Sequence, residues 1–185
     1  MTVPPVASCV SSGGVTMKRK IAASSVSLAL LLAAMTVTSA GAGTVVQSAT
    51  GSGQFRFTSD AGVTALRTFA FEATKTTDGG VSGQAQIDNR ALAQRLQIRI
   101  DCLNVIGNIA VMSGTLTEAA GAGISVGDTA IFAAQDNGEG AGASPDRVTR
   151  AFENTGLVCT DITPANVALY TNLLNDVEAG NVQIH

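Results

Sequence analysis

A single histidine, and that one the last residue of the chain, removes the usual base from most hydrolytic and transfer mechanisms. His185 stands beside a free carboxylate where nothing orients its ring, so the polar tip of a final strand is the expected role. Zinc is poorly served as well, because one histidine and three cysteines do not make a ligand set once two of the cysteines are paired. Tryptophan is absent and Tyr170 is the only tyrosine, which leaves no platform for stacking on sugar rings and disfavours a lectin. The motifs of common enzymes are missing too. "GGVSGQ" spaces its glycines wrongly for a nucleophile elbow, and no phosphate-binding glycine loop ends in Lys-Ser or Lys-Thr. Asp88, Asp101, Asp136, Glu139 and Asp146 are available for paired-carboxylate work, but their spacing sets no two of them across a cleft. No catalytic residue is assigned, and a non-enzyme is the favoured reading.

What is present begins with an address. "MKRKIAASSVSLALLLAAMTVTSAGAG" places Lys18, Arg19 and Lys20 before an apolar run from Ile21 to Val37 and then small residues, the order of a secretory signal peptide. Serines and Thr36 dilute the run, and it falls short of the roughly 20 apolar residues of a bilayer span. Cleavage is expected after Ala42, with Ala40 nearly as suitable, so 17–42 reads as the signal peptide and 43–185 as one secreted domain of about 143 residues. Residues 1–16 read as an upstream extension, with Met17 the start. No cysteine marks a lipid attachment site, so no membrane anchor is expected.

Without Lys18, Arg19 and Lys20, the 11 basic residues fall to 8 against 14 acidic ones, a net charge of about −6. Nucleic acid and anionic membranes are poor partners for such a surface. Of the three cysteines, Cys9 precedes the signal; Cys102 and Cys159 remain, and in an exported chain an isolated pair reads as one disulfide. Closing that loop stabilises a fold by roughly 4 kcal/mol on the chain-entropy account.

Glycines punctuate runs of alternating polarity, the pattern of a mostly antiparallel β-domain. "GQFRF" sets Phe55 and Phe57 on one face, "LRTFAFEA" sets Phe69 and Phe71, and "VSGQAQID" sets Val81, Ala85 and Ile87. Asp78-Gly79-Gly80 and Gly107-Asn108 supply hairpin turns. "LQIRIDC" predicts Leu96, Ile98, Ile100 and Cys102 on a single face, so that the disulfide leaves from the core side. "IAVMSGTLT" and "DTAIFAAQD" are apolar almost throughout and suit strands covered on both faces. "RVTRAF" offers Val148 and Phe152 to one face, and "NVQIH" turns Val182 and Ile184 inward. Before that last strand, Thr163 as N-cap, Pro164, and Val167, Tyr170, Leu174 and Val177 at helical spacing predict a short helix stopped by Gly180, with an irregular loop the competing reading. The fold class is therefore all-β, a barrel or sandwich of about eight mostly antiparallel strands. A last strand pairing with the first near Phe55 would close it and hold His185 at the rim.

The most distinctive polar cluster is "DNGEGAGASPDR". Asp136, Asn137, Glu139 and Asp146 carry the oxygens that calcium prefers, but the spacing departs from the regular calcium loop. A structural loop or a binding rim are the other readings.

"GQAQIDN", "IDCLNVIGNIAVMSG", "DNGEG" followed by "PDR", and the closing "GNVQIH" together resemble a group of small exported bacterial β-domains of uncharacterised function. Some of those stand alone and some follow anchor modules in larger surface proteins. The resemblance spans 51–185 and is most specific in the closing strand, while the segment from Thr163 to Glu178 is longer and more helical than in that group. It implies a secreted β-domain and brings no catalytic residues. The leading expectation is a secreted, disulfide-stapled, non-catalytic binding or structural module, monomeric, with an extracellular partner. The alternatives are a ligand carrier or small enzyme with its site in the barrel mouth, and an inhibitor of external proteases reaching out with "DNGEG" or the segment after Cys159. Gly83, Ala85 and Ala133 are small residues expected to face inward, where they either admit a ligand or make room for neighbouring phenylalanines, with close packing the favoured reading.

Overall fold

The computed structural model describes residues 43–59 and 62–185; the expected signal peptide and upstream extension lie outside them. Nine strands follow in order: β1 (Val45–Thr58), β2 (Thr64–Thr76), β3 (Val81–Asn89), β4 (Gln94–Ile106), β5 (Ile109–Ala120), β6 (Thr129–Gln135), β7 (Arg147–Val148), β8 (Phe152–Glu153) and β9 (Asn175–Ile184). One helix, α1 (Val167–Thr171), precedes β9. The predicted turns appear where expected. Gly79 and Gly107 take φ of 85° and 62°, and the Thr76 hydroxyl and the Gly80 amide donate to the Asp78 carboxylate. Those bonds hold Asp78 below the usual carboxylate range. Their contribution to stability is present above that range and is lost as pH falls through it.

Each strand from β1 to β6 pairs antiparallel with the next, β7 and β8 share the far edge of β6, and β9 joins β7 to β1. The result is a closed up-and-down barrel, the barrel alternative of the two predicted architectures. A ring of this size leaves just enough interior for side chains to fill. Four of the phenylalanines form a chain through it: Phe55 to Phe69, Phe69 to Phe71 and Phe71 to Phe132 lie 6.1, 5.9 and 5.8 Å apart between ring centroids. Leu96, Ile98, Ile100, Leu103, Met112 and Leu116 pack around them, each no more than 1% exposed. The face turned away from this interior is polar over much of the wall, the reverse of a membrane-spanning barrel. No helix among the described residues is long and apolar enough to cross a membrane.

A second core lies outside the barrel. Ile109, Val111, Ile131 and Ala133 point away from the interior and are covered by Cys159, Ile162 and Leu174, with Val167 and Tyr170 packed against them. β5 and β6 are thus buried on both faces, as their continuous apolar runs predicted. The covering segment is pinned by the Cys102–Cys159 disulfide, whose Cα atoms are 5.7 Å apart. It is also tied by Asn104, whose amide donates to the carbonyls of Cys159 and Ile162.

Four expectations are corrected. Cys102 leaves β4 on the outer face, because a bulge at Asp101 lets Ile100 pair with Gly114 and Cys102 with Ser113, reversing the alternation. Val148 and Phe152 face opposite ways, Val148 into the barrel and Phe152 against the outer core. The strand breaks between them, and there Thr149 replaces a ladder position by accepting from the Ala133 amide through its hydroxyl. Ala133 faces the outer core rather than the barrel interior. Finally, the predicted helix is only Val167–Thr171 with Asn166 at its N-cap, not Thr163, and Val177 and Gly180 belong to β9. Pairing with β1 from Phe55 to Ala49 claims those residues as strand, overriding their helical spacing.

Since the disulfide clamps the lid of the second core, C102S/C159S is expected to lower stability by about 4 kcal/mol at most. The expected readout is a lower urea midpoint, together with a larger response to a dye that binds exposed apolar surface.

Candidate functional site

Outward positions of five adjacent strands, joined by four antiparallel pairings, fall into register on the barrel wall. Gln183, Thr50, Glu72, Gln84 and Arg99 are successive cross-strand partners along β9, β1, β2, β3 and β4. Two residues along each strand, Asn181, Ser52, Ala70, Gln86 and Gln97 form a second row. The strand period of two puts both rows on one face. Together with Thr117 they line a groove of about 770 Å³.

The groove owes its shape to the small residues behind it. Gly51, Ala73, Gly83 and Ala85 occupy inward positions, and a Cβ on Gly51 would meet the Phe71 ring at 2.7 Å. The wall therefore lies directly against Phe71. Gly180 is required for a second reason: its φ is 130°, and a Cβ there would lie 2.1 Å from the Ser52 carbonyl oxygen.

The polar groups are partly paired among themselves. Gln84 donates to Glu72 at 3.0 Å, and Asn181 and Gln183 both donate to Glu139, at 3.0 and 3.1 Å. Arg99 is exposed and makes no ion pair or side-chain hydrogen bond among the described residues. The lining carries Glu72 and Arg99, and Glu139 bonds to its Asn181 and Gln183 side chains, so amides and hydroxyls predominate without an excess of positive charge, beside apolar surface from Phe71 and Ile98. Each amide offers both donors and an acceptor.

Asp136, Asn137, Glu139 and Asp146 are brought together against β9. Asp146, buried, accepts from the Asn137 amide at 2.9 Å and the Val182 amide at 2.7 Å. Asp136 accepts from the amides of Gly138 and Ile184. β7 is only two residues long, so β9 outruns its neighbour and these carboxylates supply the acceptors that a longer strand would give. Glu139 alone reaches the groove. Three or more acidic, histidine or cysteine side chains nowhere converge as a metal site among the described residues. Backbone amides bind the carboxylates of Asp136 and Asp146 into the hydrogen bonding of the loop and β9.

His185 is held by its backbone, which exchanges hydrogen bonds with Ser48 at 2.8 and 2.9 Å, while its side chain is exposed. The chain end therefore pairs with the start of β1, and it is Val177 that stands opposite Phe55. Alternation marks Gln84/Gln86 and Asn181/Gln183 as outward faces, whereas Thr50 and Ser52 precede the first run read as a strand; which of them become neighbours depends on register.

Comparison with known proteins finds no family model that matches the chain, no similar curated protein and no similar solved structure.

Removing the Asp146 charge leaves the buried Val182 amide without a full partner. D146N is expected to lower unfolding stability by about 2 kcal/mol, measured by urea titration, while E139Q, on the surface, changes it by less than about 0.5 kcal/mol. A chelator is expected to leave the melting temperature of the wild-type protein unchanged.

Proposed function

We propose that the chain is a secreted, non-catalytic binding module whose recognition surface is the polar groove on the outer wall. The observation that carries this reading is the contrast between the two faces: the interior along the phenylalanine chain is filled with packed side chains, whereas the wall offers aligned rows of amides and hydroxyls. A carrier needs the opposite arrangement. Secretion is supported by the Lys18–Lys20 cluster with its apolar run and by the disulfide, which persists in oxidising compartments. The resemblance to exported bacterial β-domains points the same way. An inhibitor is less well supported, because the loop after Asp136 is bonded to β9 and the segment after Cys159 is packed on the outer core.

The ligand class that fits the groove is a neutral, hydroxyl-rich chain, an extracellular glycan being the obvious form. Amides match hydroxyls in both donor and acceptor capacity, and with Glu72 and Glu139 against Arg99 the groove has no excess positive charge to draw an anion. Without exposed aromatic rings the affinity is modest, with a Kd on the order of 1 mM, about −4 kcal/mol. Titration of isotope-labelled protein with neutral oligosaccharides is expected to shift the amide signals of Gln84, Gln86, Gln97, Asn181 and Gln183. Q86A/Q97A is expected to weaken binding at least fivefold at unchanged melting temperature. Shifts confined to other surfaces, or none with any oligosaccharide tried, would remove the groove as the recognition site.

A further inference from the structure

The alternation along β2 sends Ala65, Arg67, Phe69, Phe71 and Ala73 to the interior, so one inward position carries a guanidinium. Arg67 is 6% exposed, and its cross-strand partner Asn89, also inward, is 1% exposed. Neither the Arg67 Nε nor either polar atom of the Asn89 amide has a hydrogen-bond partner among the described residues. Such groups are ordinarily satisfied, and leaving them bare is unfavourable.

A second cation stands beside them. Arg150, from the break between β7 and β8, lies 5.6 Å from the Phe57 ring centroid, and Arg67 lies 4.8 Å from the same centroid. Arg150 also sits 4.3 Å over Phe152. Among the described residues, the carboxylate paired with this cluster is Glu153, 4.0 Å from Arg150, one acid for two guanidinium groups. Burial first, and then the charge of Arg150, push Arg67 below its ordinary range, with Glu153 opposing. Asn89 ends β3 at the turn Arg90–Leu92, which places the cluster at that mouth of the barrel, with Arg150 partly open to solvent.

We propose that this mouth binds a small oxyanion, a phosphate, sulfate or carboxylate group, held by Arg67 and Arg150 with the Asn89 amide as a further donor. Both guanidinium groups stand against the Phe57 ring, and paired arginines are the usual device for recognising such oxygens. The same arrangement explains why an apolar interior keeps a buried cation that weakens the fold, since a buried unpaired charge is costly until a counter-charge arrives. The site is separate from the outer groove and does not rest on it.

The test is a titration of the protein, labelled at arginine Nε, with inorganic phosphate, sulfate and acetate at constant ionic strength. A saturable shift of the Arg67 and Arg150 signals is expected, and the most effective anion distinguishes a phosphate, a sulfate and a carboxylate ligand. R67M is expected to abolish the response while keeping or raising the melting temperature, and R150Q to weaken binding at least tenfold. N89D supplies the anion within the chain, so it should raise the melting temperature and remove the response to added anion. No saturable shift with any of the three anions would mean that water alone fills the mouth, and the proposal fails. R67M binding as tightly as the wild type would overturn it equally.

Discussion

A ring of backbone hydrogen bonds has no free edge, and the rest of this structure depends on closing that ring. Five hairpins build most of it cheaply, since each strand finds its sequence neighbour across a short turn. Closure falls to β9, which must reach β1 on one side and β6 through β7 on the other. On the second side the ladder is short, and the carboxylates of Asp136 and Asp146 complete it by accepting the amides of Ile184 and Val182. A loop that looks like an ion site by composition is thus part of the closing strand's hydrogen bonding.

Once closed, the barrel divides its apolar residues between two places. The interior takes the phenylalanine chain and the branched aliphatics around it, while the outer side of β5 and β6 needs its own cover. The bulge at Asp101 turns Cys102 to that outer side, where it meets Cys159 and ties the cover down. Ser113 on β5 adds to the same fastening by accepting the Cys159 amide at 3.0 Å. A single reversal of alternation therefore decides whether the disulfide lies in the barrel or outside it.

The filled interior and the polar wall together bear on function. Small residues behind the groove, with Gly51 resting on Phe71, hollow the outer surface and leave the amide rows exposed. At the mouth the pattern is inverted: the Arg67 charge is turned inward, and both Arg67 and Arg150 stand against the Phe57 ring. A packed core gains nothing from a cation there, which is why the two surfaces suggest different ligands.

Alternation alone settled much of this protein. All six phenylalanines lie in strands, β5 and β6 are buried on both faces, the turns at Gly79 and Gly107 form as composition dictates, and the cysteines pair, because each of these follows from the two-residue strand period, turn chemistry or cysteine count. Alternation also marked Gln84, Gln86, Asn181 and Gln183 as outward. Tertiary structure decided what local pattern does not encode. Pairing with β1 drew Val177 and Gly180 out of a helical pattern into β9, and the bulge at Asp101 and the break at Thr149 reversed which face Cys102 and Phe152 present. Register across five strands made neighbours of side chains far apart in the chain, and closure carried Arg150 to Arg67. The physical reason is common to all of these: strand period is a property of one segment, whereas register, bulges and closure are set by which segments meet.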